Sequence, residues 1–356
     1  MARLYLHIGT HKTGSTQIQA SLSAAKFGLL NEKIAYLPYF PASFEIMCLD
    51  ALDKAIINKS RGYLLKATRE FSNEYSFILS FEGFSGDLKQ GYRNAPIVAS
   101  ILKEITDGFD VYIIVYLRRQ DSFLESTYTQ FIHQGESLSF PDFIKCYDSS
   151  CFDWYSLLTT FAESFEKEKL FVRRYEKQYL PDQDSLIDSF ASIIKSSALQ
   201  KVRMKKSHNV GYDRDTLEIA RLCNPYLEQS ERKILRRILQ ASRTRLPLQI
   251  YSFLLPDERR NILDRYSDSN AKIFKEYFGE DCGNLFADDV FLDKTYEGLT
   301  PEGVAKIFSF ALVNQLKKEK EELKSVQILR RIESFIGEGR YFKKSLKRFV
   351  QLIKPI

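Results

Sequence analysis

The sequence predicts an α/β protein, a central parallel sheet flanked by helices, with a helical C-terminal half. Three observations lead there. Residues 111–117 (Val-Tyr-Ile-Ile-Val-Tyr-Leu) form a continuous apolar run, the pattern of a parallel strand covered on both faces. Short apolar runs alternate with helically spaced segments through the first half of the chain, as βαβ units do. After about residue 185 the strand pattern stops and helical spacing continues alone.

Taken in order, residues 3–9 read as a strand bounded by Gly9, and Ile18, Leu22 and Leu29 predict a helix over 15–30. Residues 34–37 form a short strand ended by Pro38. Residues 76–81 form a third, followed by the turn residues Gly83, Ser85 and Gly86. A helix is expected at 94–106, the fourth strand at 111–117, a helix at 121–134, one or two helices across 139–167, and a fifth strand at 170–175. Helices are then expected at 185–197, 213–223, 226–242, 256–278 and 301–334. The segments 38–75, 83–95 and 134–152 read as variable loops. Internal repeats and low-complexity linkers are lacking. One α/β domain over 1–312 is expected, with a core at about 1–200 and a helical part at about 200–312. A helical basic tail would follow at 313–356.

The composition is that of an ordinary globular chain: 356 residues, 44% hydrophobic and 28% charged, enough to bury a sizeable core. The formal net charge of +6 is concentrated at one end. Residues 340–356 hold six lysines and arginines and no acid; the remaining 46 basic residues balance the 46 acidic ones. A neutral body argues against a general nucleic-acid binder, which needs a basic face across its fold. In the tail, Phe342, Leu346, Phe349, Val350 and Ile353 recur at helical spacing against a basic remainder. That amphipathic pattern suits peripheral contact with an anionic membrane, and equally a helix packed on its own domain. No signal peptide or spanning helix is legible. The five scattered cysteines read as reduced thiols, so a cytoplasmic location is expected, with the inner face of a membrane in reach of the tail.

The chemistry begins where the first strand runs into Gly9-Thr10-His11-Lys12-Thr13-Gly14-Ser15-Thr16. A glycine-rich turn opening a helix lets backbone N–H groups converge on an anion, aided by the helix dipole. The Walker A pattern requires lysine directly after the second glycine. Here Ser15 stands in that place and the lysine, Lys12, precedes Gly14 by two. Its charge therefore sits differently from that of an ATPase.

The fourth strand ends in Arg118-Arg119, and Ser126 follows Arg118 by eight residues, inside the next helix. Ligands of open α/β sheets bind at the carboxyl ends of strands, and a guanidinium can grip phosphate with two parallel hydrogen bonds.

The run 6–16 closely resembles the 5'-phosphosulfate loop of the PAPS-dependent sulfotransferases (PAPS, 3'-phosphoadenosine 5'-phosphosulfate). It is most similar to the bacterial and carbohydrate-type members, whose loop reads roughly K-[TS]-G-[ST]-[ST]. The resemblance covers about residues 1–200 and implies their P-loop NTPase-like fold. It implies that Lys12 touches the bridging and sulfuryl oxygens, and that the backbone of Thr13, Gly14 and Ser15 with the hydroxyls of Ser15 and Thr16 holds the 5'-phosphate. Arg118 and Ser126 match the family's 3'-phosphate pair. Arg119 falls where other members often carry asparagine. Segment 201–209 lies where members return a loop over the nucleotide, so Arg203, Lys205 or Lys206 could reach the ligand; none of the three is assigned.

By the same resemblance the reaction is transfer of a sulfuryl group from PAPS to a hydroxyl, on a carbohydrate or glycolipid acceptor. Lys12 would serve as the fixed cation, so no metal is required. In-line transfer depends mainly on positioning and electrostatics, with a base for the acceptor's proton. Glu82, just after the third strand, matches the family's glutamate base; His11 is the rival. His7 reads as a core residue, and His133 and His208 are unplaced. A P-loop kinase or NTPase and a non-catalytic nucleotide-binding scaffold are the competing readings.

Overall fold

The structure, a computed structural model, describes residues 1–176, 178–203, 212–243, 252–279, 284–286 and 296–336. Five strands form one sheet: β1 (Arg3–Gly9), β2 (Ile34–Tyr36), β3 (Ser76–Ser80), β4 (Asp110–Leu117) and β5 (Leu170–Arg174). Their order is β2-β3-β1-β4-β5, and every neighbouring pair is parallel. All five lie within a residue of their expected bounds. β1 is central, which explains why every residue from Leu4 to Gly9 is buried.

Helices cover both faces. On one, Tyr5, Ile78, Ile114 and Tyr116 pack under α1 (Ser15–Ala24) and α2 (Lys26–Asn31). These two meet at Ala25, so the helix expected over 15–30 is broken once. The region between β2 and β3, expected as loop, holds α3 (Ser43–Cys48) and the 18-residue α4 (Lys54–Phe71). Asp53 caps α4, accepting hydrogen bonds from the Ala55 and Ile56 N–H groups, and Ile57, Leu64 and Ala67 are its buried apolar face. That cap and spacing were readable as a helix; a run of polar residues between them obscured it.

α5 (Ala95–Ile105) buries Val98, Ile101, Leu102 and Ile105. α6 (Gln120–Gln134) follows β4; α7 (Phe140–Lys145) and α8 (Trp154–Phe165) fill the expected 139–167. α9 (Gln183–Ile194) packs beside α1, contributing Leu186, Ile187 and Phe190 to the core, and the short α10 (Ser197–Gln200) follows. Fully burying one such Leu, Ile or Phe stabilises by roughly 1.5–3 kcal/mol.

Contacts sort the chain into two units, residues 1–209 with 250–297 and residues 210–249 with 298–356. The second unit contains α11 (Arg214–Cys223), α12 (Gln229–Arg243) and the 36-residue α15 (Pro301–Ile336). The expected domain boundary at 312 falls within this last helix. The first unit also contains α13 (Pro256–Arg265) and α14 (Ser267–Phe278). Among the described residues no helix is long and apolar enough to cross a membrane. The basic segment 340–356, and Lys205, Lys206 and His208, lie outside the described residues.

Candidate functional site

Three neighbouring strands, β3, β1 and β4, end side by side and present Glu82, the loop 9–14 and Arg118 at one sheet edge. Sequence put these groups at strand ends; the strand order makes them neighbours.

The loop is tightly built. Gly9 is left-handed (φ +79°), and a Cβ there would stand 2.8 Å from Glu82 Cβ and 2.9 Å from its Cα. Glycine therefore lets the turn after β3 press directly on the loop after β1. Thr10 ties the loop to β4, its N–H and Oγ1 donating to the Tyr116 carbonyl at 3.3 and 3.1 Å. Thr13 Oγ1 donates to the Thr10 carbonyl at 2.5 Å. Lys12 is itself left-handed (φ +62°), a conformation costing a non-glycine residue roughly 1–3 kcal/mol. We expect Gly9→Ala to lower unfolding stability by about 1–3 kcal/mol from backbone strain, before the clash with Glu82 is added. Urea unfolding of wild type and variant measures this, and an unchanged midpoint would contradict the close approach.

Gly14 (φ +82°) starts α1 without a side-chain cap, and a Cβ there would clash with Leu186 of α9. The Ser15 hydroxyl oxygen is buried with no hydrogen-bond partner among the described residues. An uncapped helix N-terminus beside an unpartnered buried hydroxyl suits an anion. Thr16 lies exposed in the first turn.

Arg118 is half-buried at the end of β4. Its Nη1 donates to the Lys12 carbonyl at 3.3 Å, its guanidinium lies 6.0 Å from the Tyr175 ring centre, and Trp154 Nε1 donates to its carbonyl at 2.8 Å. Burial lowers its pKa, opposed by Tyr175 and the carboxylates of Asp121 and Glu125. The strand-end arginine and the loop lysine are thus joined through one hydrogen bond. Ser126 is half-buried in the second turn of α6, and no hydrogen bond or ion pair among the described residues connects it with Arg118.

Arg119 turns elsewhere. It grips Asp121 through two bonds of 2.8 and 3.0 Å, and Asp121 also pairs with Arg259 of α13. Arg259 reaches Glu125 at 3.1 Å and Ser252 at 2.6 Å. Burial would raise the Asp121 pKa, but Arg119 and Arg259 hold it below the usual carboxylate value. Arg119 is part of the clasp between α6 and α13. Arg203 stands 3.6 Å from both Asp184 and Asp188.

Glu82 is half-buried, and its Oε2 accepts from Gln19 Nε2 at 3.3 Å; Gln19 also donates to the Ser80 carbonyl at 3.2 Å. Gln19 lies one helical turn beyond Ser15, a position the sequence analysis passed over. Glu82 and Gln19 line one side of a cleft of 640 Å³ completed by Tyr36 and residues 38–45.

The two histidines differ. His7 is fully buried, its Nδ1 2.7 Å from Ser80 Oγ, packed edge-on against Tyr116 and Phe190. His11 meets Tyr92, whose hydroxyl oxygen accepts from the His11 N–H at 3.1 Å and lies 2.9 Å from Nδ1. Tyr92 thus holds His11 through both its backbone N–H and its ring nitrogen. Burial pushes His7 down to about 3, and burial with the Lys12 charge pushes His11 down to about 4. An unfolded histidine titrates near 6.5, so below that pH the unfolded chain binds protons that the folded chain refuses. Stability therefore falls as pH drops from about 6.5 toward 4. Thermal melts across this window should show the fall, and His11→Gln should flatten it; an unaltered slope would contradict the buried neutral His11.

No protein-family model matches the chain. A curated protein of Archaeoglobus fulgidus, described as uncharacterized, is 28% identical over 170 residues, 47% of this chain and 46% of that protein. The match thus spans about half the length of the relative. Among solved structures, a sulfotransferase from Alicyclobacillus acidocaldarius is similar over 64% of this chain and 98% of its own, with 15% identity and a TM-score of 0.38. A likeness of that size carries no functional argument, so function rests on the residues of the site.

Chemically, the sheet edge offers a phosphate-sized anion a helix N-terminus, a hydroxyl and two cations. On the β3 side stands a carboxylate that opens on a cleft. Groups of that kind can hold an anion beside a carboxylate.

Proposed function

We propose that the chain is a sulfotransferase moving the sulfuryl group of PAPS to a hydroxyl of a carbohydrate or glycolipid. The observation that carries this reading is the loop itself: Lys12 precedes Gly14, and Glu82 and Arg118 flank it on adjacent strands. In this reading the N–H groups opening α1 and the Ser15 and Thr16 hydroxyls hold the 5'-phosphate. Arg118, with Ser126, holds the 3'-phosphate. Lys12 stays beside the bridging oxygen and neutralises charge as it develops there. The acceptor oxygen bonds to sulfur as the bond from sulfur to the bridging oxygen breaks, and the acceptor's proton passes to Glu82. The products are the sulfate ester and adenosine 3',5'-bisphosphate (PAP).

The surroundings favour Glu82 over His11 as base. His11 Nδ1 is already engaged with the Tyr92 hydroxyl, and a group held down to about 4 retains a proton poorly at neutral pH. His11 instead braces the loop through Tyr92.

Calorimetric titration with PAP, ADP and ATP plus magnesium tests the reading. Micromolar PAP binding with little affinity for the others is expected; preference for ATP with magnesium would redirect the assignment to a kinase or NTPase. Arg118→Ala should weaken PAP roughly 100-fold, the loss of two charge-assisted hydrogen bonds, and equal affinity in both proteins would remove Arg118 from the nucleotide site.

A further inference from the structure

The cleft beside Glu82 is lined by five aromatic rings and two carboxylates, Glu45 and Glu82, and, among the described residues, by no lysine, arginine or histidine. Two of its rings are unusually open for their size: Tyr39 is 85% and Phe44 69% exposed. They nonetheless stand on a built wall. Phe44 packs edge-on against Phe81, ring centres 5.0 Å apart, and Phe81 packs likewise against Phe84 at 5.3 Å. Ser60 Oγ donates to the Pro41 carbonyl at 3.1 Å, and Asn94 Nδ2 donates to the carbonyls of Met47 and Leu49, pinning α3 from below. Ala42 takes a left-handed turn (φ +58°) at the start of α3, just before Ser43 and Phe44. The wall is therefore largely formed before any ligand arrives.

Such a lining selects by charge as well as shape. Open aromatic faces stack on the C–H faces of sugar rings, and carboxylates accept hydrogen bonds from sugar hydroxyls. An acidic sugar would bring a third negative charge beside Glu45 and Glu82, which acts as a repulsive element against that class. We infer that this cleft takes a carbohydrate acceptor lacking acidic groups, stacked on Tyr39 and Phe44 with its reacting hydroxyl toward Glu82. The inference rests on the sulfotransferase reading and narrows it: uronate-containing and already sulfated glycans are excluded as acceptors.

The test uses the full chain saturated with PAP and saturation-transfer NMR at low salt. The probes are neutral trisaccharides of glucose, galactose and N-acetylglucosamine, and a trisaccharide containing glucuronate. At least one neutral probe should bind, with the acidic probe weaker by roughly tenfold or more. Tyr39→Ala should abolish the neutral signal and leave the calorimetric PAP affinity unchanged. Glu45→Lys should shift the ratio of acidic to neutral binding upward by roughly tenfold. Acidic binding equal to or stronger than neutral binding, or no binding by any probe while PAP binds, would overturn the inference. Failure of PAP itself to bind would instead fall on the sulfotransferase reading, and on this one with it.

Discussion

Lys12→Ala should reduce sulfuryl transfer roughly 1,000-fold while the protein remains folded, because a fixed cation at the breaking bond acts mostly in the transition state. The backbone supports a clean comparison. Lys12 is left-handed, and alanine bears the same strain there as lysine, so stability should change by less than about 0.5 kcal/mol. The Lys12 carbonyl that receives Arg118 is main chain and survives the substitution. PAP affinity, which the proposed function assigns to Arg118 and the helix N-terminus, should fall by roughly tenfold or less. Transfer of labelled sulfate, read beside a thermal melt and a PAP titration, separates these quantities. Wild-type turnover in the variant would remove Lys12 from the reaction.

Glu82→Gln should lower turnover by roughly 100- to 10,000-fold with PAP affinity unchanged, the range expected for losing a general base. Glutamine keeps the shape of the side chain and can still accept from Gln19, which holds Glu82 Oε2 at 3.3 Å. The Glu82 backbone also stays against Gly9, so the loop keeps its support. What disappears is the capacity to take a proton. Single-turnover transfer to an accepted sugar gives the chemical step directly, and an unchanged rate would mean that another group accepts the acceptor's proton.

Much of the fold was legible because strand 111–117 is buried on both faces and therefore apolar throughout, and because Gly9 and Gly14 stand where the chain must turn left-handed. Less of the site was. α4 was overlooked, although its Asp53 cap and buried residues follow helical rules; the cleft wall at 38–45 lies in a segment read as a variable loop. The pairing of Arg119 with Asp121 spans two residues, but the clasp onto Arg259 reaches across 138, beyond any local pattern. The contact of His11 Nδ1 with Tyr92 likewise spans 81 residues.

By itself the sequence determined the strands, the glycine-rich turn after β1, its displaced lysine and the arginine at a strand end. These follow from periodicity and backbone preference within a few residues. Only the tertiary structure decided that β3 lies beside β1, so that Glu82 meets the loop, and that Glu45 and Tyr39 share a cleft with it. The physical reason is that strand neighbours in a parallel sheet are chosen by packing between segments far apart in the chain. No local pattern of residues states which strand will be next.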